Sequence, residues 1–404
     1  MGGILYKSGR QVNKKVAKKS ETATMRPLYD NYIFEFMLKL LQILGLALLL
    51  PVSARAAVNV VVIAPQEGDY KRFGRELAEG VKIAARDINE HGGVLGQKIN
   101  VLVADDRCDD TFAVSMAQMM SVNSSAEDKV NLVIGPYCGN RFNQTADIYA
   151  KAGILQIVPV PLGGEKTAVP AAPLKIAGMR FEQAGAFYDY YRHSFQGQNT
   201  ALAYNADDRE LVSIAAEIQG QFMRNGSGNR LTSYNFTNYG KDYNLMAREI
   251  LLNSRLVYVL GASKETAKLT RALKEQRPDV LVFTDRYQLK DNYEEIAGSQ
   301  ADGTYYLGLK NFKDSPYFTE TLVNLRLQGM EPAGLGVYGF AALKLWSEVA
   351  AKAGAFDYKK MKEAASAGTF SMPWGEMSFR NGNFSGNALY GVFQRQGEEY
   401  TQVY

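Results

Sequence analysis

The sequence predicts an α/β protein built as two doubly wound parallel-sheet lobes. Three observations carry this. Short aliphatic and β-branched runs, headed by residues 58–64, have the continuous apolar character of strands covered on both faces. Segments with apolar residues three and four apart, headed by Leu77, Val81, Ala84 and Ile88, separate them as amphipathic helices. The alternation runs its course twice, before and after Arg180.

Strand 58–64 leads into a helix that ends at His91-Gly92-Gly93, where glycine lets the chain leave the helix. Ile99, Val101 and Val103 alternate as the next strand, and Val114, Ala117 and Met120 mark the next helix. Strands follow at 132–135, 154–158 and 174–177, with a helix at 140–152. The second series reads helix 181–195, strand 200–204, helix 208–224, strand 231–236, helix 241–252, strand 256–260, helix 264–276 and strand 280–284. Strand 305–309, helices 317–327 and 338–353, and a last strand 388–394 behind the turn-rich stretch Asn381 to Gly386 complete the chain. Open sheets of this kind bind ligands beyond the carboxyl ends of their strands, which places a site in the cleft between the lobes.

The first 56 residues read as a leader. Residues 38–50 form a Leu-rich apolar run broken only by Lys39 and Gln42, the length of a signal-peptide h-region and too short to span a bilayer. Pro51 follows, and Ala54-Arg55-Ala56 sets small residues for cleavage after Ala56. The other reading is an N-terminal amphipathic helix of the mature chain. The leader holds nine Lys/Arg and three Asp/Glu, so the +4 of the whole chain becomes a slight excess of acid without it, and no nucleic-acid-binding surface follows from the charge. No cysteine stands at the cleavage point to take a lipid, so a free protein in the periplasm is expected. In that oxidising compartment Cys108 and Cys138 read as one disulfide, worth ~3 kcal/mol by loop entropy, with two buried thiols as the alternative.

Catalytic material is scarce. His91 and His193 are the chain's two histidines, so a Ser-His-Asp triad or a His-rich metal site has little to draw on. Asp105, Asp106, Asp109 and Asp110 lack the glycine-centred calcium loop and read as strand-end turn and helix-cap residues. Gly334, Gly336 and Gly339 match GxGxxG but follow Pro332-Ala333 in place of a strand, and read as a turn that opens a helix. Neither an enzyme nor a cofactor is expected.

Over 58–404 the chain resembles the periplasmic leucine/isoleucine/valine-binding protein family, the amino-acid-type receptors of ABC importers. The resemblance lies in Gly92-Gly93-Val94 with Gly96, Asp105-Asp106-Arg107-Cys108-Asp109, residues 133–138 (VIGPYC), residues 146–149 running into 152–157 (AGILQI), and Met179-Arg180. It implies the type I periplasmic-binding-protein fold with a three-segment hinge near 178–181, 307–311 and 384–388. The N-lobe is then 58–178 plus 310–385 and the C-lobe 180–308 plus 388–404. It also implies a disulfide at Cys108 and Cys138, an inner-membrane permease as partner and a monomeric receptor.

The ligand grip departs from that family. Its branched-chain amino-acid binders hold the α-carboxylate with a serine after the second cysteine and a later small-residue/Thr loop; here these places hold Gly139 and Val160-Pro161-Leu162. Arg286, behind Asp285, stands where the family has a glutamate for the ammonium group. A guanidinium repels an ammonium and holds a carboxylate through two hydrogen bonds. Arg141 offers a second cation near a helix start. Phe73 stands where the family places an aromatic lid, and Tyr137, Tyr287 and Glu182 are further contact candidates, whereas Arg180 reads as a hinge pin. These residues imply a small amino-acid-like or carboxylate-bearing solute, such as an aromatic or dicarboxylic acid. The alternatives are a sensory binding protein for a membrane receptor and a secreted α/β enzyme.

Overall fold

The computed structural model describes residues 57–404 except 123, 124, 126, 127, 139–141, 162–172, 291, 314, 331–333, 381, 386–388 and 398. The leader and cleavage point expected from sequence lie outside the described residues.

Strand β1 (Val58–Ile63) is buried along its whole length, as the β-branched run requires. It is followed by α1 (Lys71–Glu90), β2 (Ile99–Ala104), α2 (Asp110–Ser121), β3 (Val130–Ile134), α3 (Phe142–Lys151), β4 (Leu155–Val158) and β5 (Leu174–Lys175). The second series is α4 (Gln183–Ser194), β6 (Thr200–Tyr204), α5 (Arg209–Arg224), β7 (Leu231–Asn235), α6 (Tyr243–Asn253), β8 (Leu256–Leu260), α7 (Ser263–Gln276), β9 (Leu281–Asp285), α8 (Asn292–Ala297) and β10 (Tyr305–Leu309). The chain closes with α9 (Thr319–Leu327), α10 (Gly334–Ala353), α11 (Tyr358–Ala367), β11 (Thr369–Met372), β12 (Gly375–Arg380), β13 (Asn383–Ser385), β14 (Tyr390–Gln396) and β15 (Glu399–Gln402).

Two sheets result, ordered β11-β12-β13-β5-β4-β3-β1-β2 and β15-β14-β10-β9-β8-β6-β7. The strands of the two βα series pair in parallel, while β11–β12, β12–β13, β10–β14 and β14–β15 add antiparallel pairs at one edge of each sheet. The order reverses between β1 and β3 in one sheet and between β6 and β8 in the other, the switch points where doubly wound sheets open a crevice. The chain passes between sheets three times, after β5, after β10 and between β13 and β14.

Each lobe has its own core. In the first, Leu77, Val81 and Ala84 of α1 meet Phe340, Leu343 and Trp346 of α10. In the second, Phe187 stacks on Tyr258 at 4.6 Å and meets Phe283 edge-on at 5.2 Å. The GxGxxG stretch begins α10, where a Cβ on Gly339 would stand 2.3 Å from the Leu77 carbonyl oxygen, and one on Gly80 2.0 Å from that of Gly336. These glycines let α1 and α10 touch backbone to backbone, and α10 starts four residues before the expected 338. The acidic run is used locally: Asp109 accepts from the Thr111 and Phe112 amides and caps α2, and Asp105 accepts from those of Gln66, Glu67 and Arg107.

Helices α8 and α11 and strands β11, β12, β13 and β15 have no counterpart among the elements expected from sequence. Helix α11 buries Met361 and Ala365 alone, and β11 alternates exposed and buried residues. Neither shows the continuous apolar run that marks the parallel strands.

Candidate functional site

The chemistry gathers at the carboxyl ends of the strands. Asp285 closes β9 and is fully buried. Its Oδ1 accepts the Tyr287 amide at 2.8 Å, capping the single 3-10 turn Arg286–Gln288. Its Oδ2 accepts from the Arg180 guanidinium and from Gln183 Nε2 at 3.1 Å, and Gln183 Oε1 in turn accepts the Tyr258 hydroxyl at 2.6 Å. Arg180 reaches Glu210 at 2.7 Å with its other amino group. Burial alone would weaken its hold on a proton, but Asp285 and Glu210 more than offset this and keep the guanidinium charged. Arg180 is therefore committed to joining β9 and α5, and Asp285 is committed to Arg180.

That leaves Arg286 without an ion pair among the described residues. Its guanidinium carbon stands 5.2 Å from the ring centre of Phe73, on the other lobe, and 4.2 Å from that of Tyr400. Gly308 of β10 makes room for it, since a Cβ there would meet the Arg286 Cβ at 3.3 Å. The Tyr287 hydroxyl accepts the Leu309 amide at 3.3 Å, tying the same turn to β10.

A cavity of about 310 Å³ lies between the lobes at this point. Helix α1 supplies Arg72, Phe73 and Glu76; the turn after β9 supplies Arg286 and Tyr287; the end of β10 and the following loop supply Leu309 and Asn311; β14 and β15 supply Phe393 and Tyr400. Glu76, on α1, faces the start of α10, with the backbone N–H groups of Gly336 and Leu335 turned toward its carboxylate. Burial raises its pKa, and those N–H groups with Arg286 and Arg72 oppose the shift. Behind Phe73, Tyr137 stacks at 5.9 Å with its ring nearly parallel, and Tyr70 follows at 5.8 Å. Lys290 of the second lobe pairs with Asp69 of the first at 2.9 Å, so the lobes are drawn together over the cavity.

Of the residues singled out from sequence, Phe73, Arg286 and Tyr287 line the cavity, and Tyr137 backs Phe73. Val160 and Pro161 are buried beyond β4, with Val160 in the first lobe's apolar core. Glu182 sits in the 3-10 turn Arg180–Glu182 beside Gly178 and is not among the described lining residues. Gly139, Arg141 and Leu162 lie outside the described residues. Cys108 and Cys138 are joined as a disulfide that ties the turn after β2 to the loop after β3. Arg72, Glu76, Asn311, Phe393 and Tyr400 were not foreseen. The one signal for Tyr400 was a glycine turn at Gly397 between two alternating segments, the mark of a hairpin.

Among the described residues no helix is long and apolar enough to cross a membrane. The sequence model of a family described as periplasmic binding protein matches residues 57–398. The chain is 27% identical over 323 residues to an amino acid binding protein of Pseudomonas aeruginosa, covering 78% of this chain and 83% of that protein. It is 26% identical over 290 residues to the Leu/Ile/Val-binding protein of Escherichia coli K12, covering 71% and 77%. Among solved structures, a leucine binding protein from Thermotoga maritima superposes with a TM-score of 0.69 at 19% identity, covering 86% of this chain and 98% of that one. A solute-binding protein of an R. palustris ABC transporter in complex with benzoate gives 0.66 at 16% identity, covering 86% and 96%. The fold is that of type I periplasmic binding proteins, and the chain belongs to the periplasmic binding protein family.

Proposed function

We propose that this protein is the periplasmic receptor of an ABC importer, that its leader is removed on export, and that it binds a small carboxylate-bearing solute in the interlobe cavity without turning it over. The observation that carries the reading is Arg286. It lines the cavity between Phe73 and Tyr400 and forms no ion pair among the described residues. A guanidinium held between aromatic rings in a partly dry cleft is a strong site for a planar carboxylate. The aromatic and aliphatic walls suit an apolar body on that acid.

Glu76 favours a second reading. Its carboxylate in the same cavity would give the ammonium group of an α-amino acid a partner, with the α-carboxylate on Arg286, in keeping with the names of the relatives.

Calorimetric titration of protein isolated from the periplasm with benzoate, glutarate and leucine separates the two. Arg286→Ala should weaken whichever acid binds by ~2–5 kcal/mol, a loss of roughly 30-fold or more. Affinities within threefold of wild type would remove Arg286 from the site. Binding of leucine, together with loss of leucine affinity in Glu76→Gln, would favour the amino-acid reading.

A further inference from the structure

A second cavity of about 340 Å³ opens beside the first and shares Arg72, Arg286 and Tyr400 with it. Lys71 and Arg72 reach it from α1 of the first lobe, Arg286 and Lys290 from the second. Closure therefore gathers four cations, two from each lobe, around one space. Among its described lining residues Glu294 is the carboxylate, and it is engaged elsewhere, accepting the Tyr400 hydroxyl and lying 3.4 Å from Arg395. Lys290 already pairs with Asp69 of the first lobe at 2.9 Å, which leaves Lys71, Arg72 and Arg286 as the three cations without an ion pair among the described residues. Arg72 and Arg286 stand 5.0 and 5.2 Å from the centre of the same Phe73 ring. Glu76 faces Arg72 and Arg286 from the first cavity, so the excess of positive charge lies on the second cavity's side, where a bound anion would offset it.

We infer that this second cavity is a second anion subsite, and that the solute carries two carboxylates, one in each cavity, with Arg72 and Arg286 between them. The inference rests on the carboxylate reading above and narrows it. Two features favour a second carboxylate of the same molecule over a separate inorganic anion. The cavities adjoin, sharing Arg72, Arg286 and Tyr400, and Phe73, Leu289, Tyr293 and Tyr400 give an apolar spacer walls to lie against. A monoacid fills one subsite and leaves the other cations opposed.

The test is calorimetric titration at fixed ionic strength with matched pairs, butyrate against glutarate and hexanoate against adipate, and with inorganic sulfate as the separate anion. The diacid of at least one pair should bind tenfold or more tightly than its monoacid. Lys71→Gln should lower that diacid-to-monoacid ratio at least fivefold; the ratio cancels any general damage to the fold. Equal affinities within each pair, or a ratio unmoved by Lys71→Gln, overturn the second subsite. So does a monoacid that matches its diacid once sulfate is added. If monoacids bind through Arg286 and diacids gain nothing, the second subsite alone falls. If no acid of either kind binds, the carboxylate reading falls with it.

Discussion

Asp285 is the residue on which both the second lobe and the candidate site depend. Replacing it with alanine removes three partners at once: the Arg180 guanidinium, Gln183 Nε2 at 3.1 Å and the Tyr287 amide at 2.8 Å. Arg180 is nearly buried and would keep only Glu210, at 2.7 Å. Breaking a buried ion pair from one side costs ~3–5 kcal/mol, because the remaining charge is left in a poor solvent. Loss of the cap on the Arg286–Gln288 turn adds up to ~1 kcal/mol. Asp285→Ala should thus destabilise the ligand-free protein by about 3–6 kcal/mol in urea unfolding. Asp285→Asn should cost less, since its amide oxygen still accepts the Tyr287 amide while the charge is lost. Arg180→Met combined with Asp285→Ala should cost at least ~1 kcal/mol less than the sum of the single changes, as expected of residues in one network. A cost below ~1 kcal/mol for Asp285→Ala, or strict additivity with Arg180→Met, would refute the reasoning.

Two further outcomes follow from the packing and the titration of single residues. Gly80→Ala puts a methyl 2.0 Å from the Gly336 carbonyl oxygen, so it should destabilise by ~1–3 kcal/mol. Gly185→Ala, in α4 with open space at its Cβ, should stabilise by up to ~1 kcal/mol, and a urea midpoint for Gly80→Ala that stays or rises would contradict the close approach of α1 and α10. Burial lifts the Asp106 carboxyl from its ordinary 3.8 to about 6, against the pull of the Cys108 amide. The folded protein therefore holds that proton more tightly than the unfolded chain, and stability present below about pH 4 is lost as pH rises through about 6, by ~3 kcal/mol at most. Asp106→Asn keeps an acceptor for the Cys108 amide and should flatten the melting profile between pH 4 and 7; an unchanged slope would count against a raised Asp106.

The elements that show in the linear chain are those whose own period carries the information. The run at β1 is apolar at every position because both faces of a parallel strand are covered, and strands β6, β8 and β10 have the bounds their residues predict. Arg286 could be read as the departure from a glutamate because it occupies one position in an ordered series of motifs. Contacts between segments far apart in sequence could not be read in that way. Arg180 and Asp285 are 105 residues apart, and only folding shows that this pair leaves Arg286 without an ion pair among the described residues. Tyr400 reaches Arg286 through β15, a four-residue edge strand whose alternation shows a hairpin but not which side chain of the other segments it will meet. Nothing in the linear chain singles out Arg72, and its place beside Arg286 and Lys290 comes from the opposite lobe across the cleft. Local periodicity decides which residues become strands and helices, since it acts over a few bonds. Which charges face one another in the cleft depends on how two separately packed lobes close, and a single segment does not encode that.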